Sequence, residues 1–262
     1  MEIIVFLKMV PDVVEELVIA EDGRSLDTQI LRMKLNDPDD HALEEALILK
    51  EKYGGTVTVV ALEAPEIDEV LFTAIAKGAD KAIKIPVDWT GIQSLAISKL
   101  FADFLNSTSR QLNTETLLLI GSQAIDDLQG EVAPYFAETL KIPYMGVVTG
   151  INLDDSKKKV IVLKEFAGGM RGEFELPLPA ILGIQAAEKP PRYVPVAKVR
   201  AVMKSAKIET IDIPPPDALT SLSVEKLLIP EVAGKAKMIE GTPEDVAKKI
   251  VDLLIGSGII RG

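Results

Sequence analysis

Three features of this 262-residue chain predict an α/β fold, an open and mostly parallel sheet with helices on both faces. Strand-like runs at residues 3–7, 56–62, 81–86 and 117–120 are each followed by a segment whose apolar residues recur at helical spacing. Glycines punctuate these units, with Gly54, Gly55 and Gly78 placed to end helices and Gly121 placed to end a strand. The run at 117–120 is apolar on both faces, as a strand buried beneath two helical layers reads.

Residues 3–7 form the first predicted strand, after which KMVPD turns the chain out of the sheet and Pro11 is expected to deny further pairing. A polar meander follows over residues 18–35. Asn36, Asp37 and Pro38 mark a helix start; Ala42, Leu43, Ala46, Leu47 and Tyr53 supply its buried stripe, with Glu44, Glu45, Lys50 and Glu51 expected to face water. The second helix carries Ile67, Val70, Leu71, Ala74 and Ile75 on one face, and the third carries Ile97, Leu100, Phe101, Phe104 and Leu105. Beyond the central strand, Val132, Tyr135, Phe136 and Leu140 define a fourth, with Pro134 in its first turn.

From Tyr144 the period changes to two. VIVLKEF and GEFELPLPA, on either side of Gly168 and Gly169, read as paired strands, and residues 180–184 add another apolar strand. Residues 185–216, rich in Pro, Lys and Arg, hold no sustained apolar period and read as an exposed excursion. Near the end, Thr242 and Asp245 make a capping pair around Pro243, and Val246, Ile250, Val251 and Leu254 form a stripe that calls for a partner surface.

Composition excludes several functions. A formal net charge of −11 opposes nucleic-acid binding, since most of the surface would repel phosphate. No apolar run approaches the ~20 residues needed to span a bilayer, so membrane insertion is not expected, and the amino terminus reads as a strand and not a targeting segment. The absence of cysteine rules out disulfides, thiolate metal sites and thiol catalysis, and suits a reducing, cytoplasmic setting. His41, the single histidine, leaves no partner for a His-based zinc site and reads as an exposed first-turn residue. No GxGxxG, Walker loop, GxSxG or HExxH is present, so no catalytic residue is assigned.

The most informative stretch is residues 117–143, LLLIGSQAIDDLQGEVAPYFAETLKIP, where an apolar strand runs into a polar turn and then a helix. The carboxyl end of such a strand is where open α/β sheets bind ligands, with helix N–H groups available to an anion. Asp126 and Asp127 there either bond the loop backbone or reach a ribose or amide, and Lys8 is either a phosphate partner or a solvated strand end.

GSQAIDD followed by AETLKIP, together with KMVPD, NDPDDHALEEALILKEKYGG and PPRYVPV, resembles the β subunit of electron-transfer flavoproteins in one order over essentially the whole chain. The resemblance implies a Rossmann-like, adenine nucleotide α-hydrolase-like domain at 1–184, a partner-recognition loop and linker at 185–216, and a C-terminal arm at 217–262 whose helix packs on an α subunit. That α subunit would hold most of a redox-active FAD. The pair would pass electrons between a dehydrogenase and a quinone reductase or ferredoxin-type acceptor, and KMVPD and NDPDDHALEEAL lie closer to the electron-bifurcating branch.

By the same resemblance, a second nucleotide, AMP or FAD, would sit in this chain against Phe6, Asn36, Asp37, Pro38, Leu62, Glu63, Ser122, Gln123, Ala124, Ile125, Asp126, Asp127, Gln129, Glu131, Val132 and Ala133. Several of these depart from the family pattern. Phe6 replaces a small residue, Glu63 a Gly, Glu131 an amide and Ala133 a Gly, so the second site is expected to be impaired by lost volume and by carboxylates facing the phosphate. Val196, three residues beyond Tyr193, takes the place of the apolar anchor for the dehydrogenase, with Tyr193 supporting the loop. The alternative is a free-standing adenine-nucleotide protein of stress-protein or ATP-pyrophosphatase type. The phosphate loops those proteins need are missing.

Overall fold

The computed structural model describes residues 1–27, 29–88, 94–107, 112–215, 224–230, 236 and 238–261. The chain divides into two compact units, Met1–Glu225 and Lys226–Gly262.

In the first unit the chain runs β1 (Glu2–Leu7), β2 (Met9–Pro11), β3 (Met33–Leu35), α1 (Asp37–Tyr53), β4 (Thr56–Glu63), α2 (Ile67–Lys77), β5 (Lys81–Asp88) and α3 (Ser94–Ser107). It continues through β6 (Thr116–Gly121), α4 (Val132–Leu140), β7 (Tyr144–Leu153), β8 (Lys159–Glu165), β9 (Arg171–Pro177), β10 (Ala180–Ile184), α5 (Val196–Ser205) and β11 (Glu209–Thr210). Nine strands form one sheet in the order β11-β5-β4-β1-β6-β10-β7-β8-β9. The pairs from β11 to β7 are parallel, and β8 and β9 add antiparallel edges.

From β1 the chain first builds outward through β4 and β5 and then returns to lay β6 on the other side, so strand order reverses between β1 and β6. Right-handed crossovers therefore carry α1 and α2 to one face and α3 and α4 to the other. Between these layers β1, β4, β6 and β10 are almost wholly buried, which is why their sequences are aliphatic on both sides. Phe6 on β1 anchors the second face. Its ring lies 4.4 Å from that of Phe101 on α3 and 5.0 Å, edge-on, from that of Phe136 on α4.

Three expectations are corrected by tertiary contacts. Pro11 does not end pairing: Met9–Pro11 forms an antiparallel ladder with Met33–Leu35. Lys8 accepts from Asn36 and Arg32 from Asp12, so bonded positions alternate and Pro11, without an N–H, falls on an unbonded one. Glu44 and Glu45 do not face water and are 3% and 1% exposed, because the segment after β10 lies across α1 and brings them donors. Burial pushes Glu45 up to about 7, opposed by the N–H of Glu188. His41 is half-buried for the same reason, its Nδ1 accepting the N–H of Ala187.

The excursion after β10 is also more ordered than its composition suggests. It contains α5, which packs on α2 through a face that buries Val199. It then adds β11 to the free edge of β5.

In the second unit α6 (Pro243–Gly256) starts at the expected capping box: Thr242 Oγ1 accepts from the Asp245 N–H at 3.3 Å and the Asp245 carboxylate accepts from the Thr242 N–H at 3.4 Å. No residue of α6 is buried, and Val246 and Leu254 are only partly covered.

Phe6→Ala should lower stability by about 3–5 kcal/mol, the usual cost of emptying a buried aromatic site. Val13→Ala, at a side chain 49% exposed, should stay within about 0.5 kcal/mol. Urea denaturation of both variants checks the pair, and equal midpoints would contradict the packing described.

Candidate functional site

A cleft opens at the carboxyl ends of β1, β4 and β6, at the point where strand order reverses. Its floor is apolar, formed by Phe6, Leu62, Ile97, Phe101 and Ile120, with Val132 and Ala133 from the start of α4. Its polar wall carries Lys8, Asn36, Asp39, Ser122, Gln123, Ala124, Asp127 and Gly130.

The wall is held by the first turn of α1. Asn36 and Asp39 occupy the N-cap and third helical positions, a spacing that normally closes a local cap. Here the side chains reach outward instead. Asp39 Oδ2 accepts the Lys8 N–H at 2.8 Å and Oδ1 accepts the Gly121 N–H at 2.7 Å, so one carboxylate spans the ends of both strands at the reversal point. Asn36 Nδ2 donates to the Gln123 carbonyl at 3.0 Å and pins the loop.

Burial pushes Asp39 up to about 7, against the pull of its two backbone donors. The approach is close enough to require Gly121, where an added Cβ would lie 2.4 Å from Asp39 Oδ1 and 2.8 Å from Pro38 Cβ. Gly130 is required by its φ of +64° and by the Ser122 carbonyl, 2.5 Å from the Cβ it lacks.

The two acidic residues of the loop do different jobs. Asp126 accepts from Lys8 Nζ at 2.7 Å, and Asp127 accepts from the Ser94 hydroxyl at 2.9 Å. Ser122 Oγ donates to Gln185 Oε1 at 2.7 Å. Part of the loop's N–H groups are taken up within the protein: Gly121 by Asp39, Ser122 by Ile184, Ala124 and Asp127 by each other, Gly130 by Asp127. Among the described lining residues Lys8 is the single cation; its ammonium pairs with Asp126 and its N–H with Asp39.

Phe6, Asn36, Leu62, Ser122, Gln123, Ala124, Asp127, Val132 and Ala133 line the cleft together. The others lie outside its lining. Asp37 pairs with Lys34 at 3.0 Å, and Pro38 packs behind Gly121. Glu63 turns to Lys84 at 3.1 Å, Asp126 holds Lys8, Ile125 is exposed, and Glu131 precedes α4 as its N-cap. Tyr193 and Val196 are 83% and 59% exposed, just before and at the start of α5. Asp39 was missed because it reads as one more acidic residue in a helix start. The Asn36-x-x-Asp39 spacing was the available signal. Among the described residues no cluster could hold a metal ion, and no helix is long and apolar enough to cross a membrane.

A doubly wound sheet with its crevice at the reversal point defines a class, the α/β proteins that receive ligands at the carboxyl ends of their strands. The electron transfer flavoprotein domain matches residues 25–218. The chain belongs to the electron transfer flavoprotein family, on its β-subunit branch. It is 30% identical over 262 residues to the electron transfer flavoprotein subunit beta of Clostridium acetobutylicum and 29% identical over 264 residues to that of Methylophilus methylotrophus, covering 97% of this chain and 98% of each relative. It is 29% identical over 270 residues to the caffeyl-CoA reductase-Etf complex subunit CarD of Acetobacterium woodii, covering 99% and 100%. This membership supersedes the free-standing adenine-nucleotide reading.

Asp39→Asn should cost about 1–3 kcal/mol, because the amide must set an N–H against one of two backbone donors. The pH dependence has a definite sign. A carboxyl raised in the folded state favours folding below its unfolded pKa of about 3.9, and that contribution is lost as pH climbs through about 7. The stability gap between wild type and Asp39→Asn should therefore depend on pH between these two values. Chemical denaturation across that range measures it, and a constant gap would contradict the shift.

Proposed function

We propose that this chain is the β subunit of a heterodimeric electron-transfer flavoprotein whose redox-active FAD is held mainly by the α subunit. The pair carries electrons between a dehydrogenase and a quinone reductase or ferredoxin-type acceptor. The observation that carries this reading is the near-complete coverage of relatives named as such β subunits, joined to a crevice at the reversal point of the sheet. The unburied stripe of α6 supports the heterodimer, since Val246, Ile250, Val251 and Leu254 need an apolar surface from elsewhere. KMVPD and NDPDDHALEEAL support the bifurcating branch.

On this reading the second nucleotide site in the crevice is impaired for phosphate. Phe6 fills the floor from below, several loop N–H groups are turned to acceptors within the protein, and Lys8 is engaged by Asp126. Of the carboxylates expected to repel a phosphate, Glu63 is withdrawn to Lys84, while Glu131 stands at the start of α4, where the helix would otherwise attract an anion. Asp127 lines the cleft directly, and at a partly buried distance it opposes a phosphate by about 1 kcal/mol or more; Asp39, pushed up to about 7, adds to this as it ionises.

Denatured heterodimer should release one FAD and no AMP. Stoichiometric AMP, or a second FAD, would show that the crevice accepts a phosphate.

Tyr193 and Val196 are read as the docking segment for the dehydrogenase. Val196→Ala should weaken docking by about 2 kcal/mol and slow electron delivery while flavin content stays at wild type. Stopped-flow reduction by the dehydrogenase measures this, and an unaltered rate would refute the docking role.

A further inference from the structure

Between β10 and α5 the chain is strapped along one polar face of α1. Ala187 N–H donates to His41 Nδ1 at 3.1 Å, Glu188 N–H to Glu45 Oε2 at 3.0 Å, and Arg192 N–H to Glu44 Oε2 at 2.8 Å. The Arg192 guanidinium then closes the strap. Its Nε lies 3.0 Å from both oxygens of Glu44, Nη2 lies 2.9 Å from Oε1, and Nη1 lies 2.5 Å from Glu51. His41, Glu44, Glu45 and Glu51 fall at helical spacing, so α1 presents them as one row.

Immediately beyond Arg192 the chain stands out from the surface. Tyr193 is 83% exposed and Val196 is 59% exposed. Three residues further on, Val199 is buried, where α5 packs on α2. The YVPV segment is thus a bracket with two fixed feet, the Arg192 clamp on α1 and Val199 on α5. The upstream foot is specific to a guanidinium. The Glu44 side chain is only 4% exposed, so its charge is held by the planar fork of Arg192, and an ammonium cannot contact Glu44 on both oxygens and Glu51 together.

We propose that Arg192 is a positioning residue for electron delivery: through Glu44 and Glu51 it fixes where Tyr193 and Val196 stand toward the redox partner. This rests on the reading of those two residues as the docking segment. The same strap begins at Gln185, which accepts the Ser122 hydroxyl from the crevice loop, so the bracket and the crevice share one scaffold.

The test uses the assembled heterodimer with two readouts. The first is limited chymotrypsin cleavage after Tyr193, which needs no partner; the second is steady-state reduction by a purified acyl-CoA dehydrogenase charged with butyryl-CoA. Arg192→Gln should be nicked about tenfold faster, and its KM for the dehydrogenase should rise about tenfold with kcat and flavin content unchanged. Arg192→Lys should fall between it and wild type. Val196→Ala should raise KM without faster nicking.

Wild-type nicking and KM in Arg192→Gln overturn the positioning role. An unchanged KM in Val196→Ala overturns instead the docking reading beneath it. If Arg192→Gln does not assemble, Arg192→Lys decides, and wild-type values in that variant overturn the proposal.

Discussion

The carboxylate of Asp39 solves a problem that the sheet topology creates. Where strand order reverses, the connections from β1 and β6 leave in opposite directions, and no neighbouring ladder pairs the backbone at the point of departure. Asp39 supplies the missing acceptors, one oxygen for Lys8 and one for Gly121. It does so from inside the protein, where ionisation is costly, and its raised pKa records that cost. This bridge joins both strand ends at the wall of the crevice.

Helix α1 is the common scaffold for both functional regions. Its first turn grips the reversal point and the loop through Asn36 and Asp39, while its middle and last turns hold the strap through His41, Glu44, Glu45 and Glu51. A helix is stiff over this length, so a displacement at one end is transmitted to the other with little loss. An amphipathic reading assigns one buried stripe and one wet face. In α1 both are covered, the first by the sheet and much of the second by a later segment of the same chain.

The electrostatics of the crevice follow from the same economy of donors. A loop that is to bind phosphate leaves its N–H groups unpaired and aimed outward. This loop turns part of its donors inward and pairs its nearest cation with Asp126, above an aromatic floor.

By itself the sequence determined the sheet, its helices and their order, because aliphatic runs such as Leu117–Leu119 and stripes such as Ile97, Leu100, Phe101 and Phe104 are local patterns with one stable outcome. It also located the crevice, since GSQAIDD must follow the central strand, and it marked the α6 cap. Only the tertiary structure decided how polar residues are used. Asp39, Glu44 and Glu45 carry no local sign of burial, and they are buried because backbone donors and Arg192, distant in sequence, arrive to bond them. Glu63 and Asp126 were drawn away from the cleft by Lys84 and Lys8 in the same manner. Hydrophobic periodicity is written in neighbouring residues, whereas the partner of a charge is chosen by the fold, and a chain read in one dimension does not contain that distance.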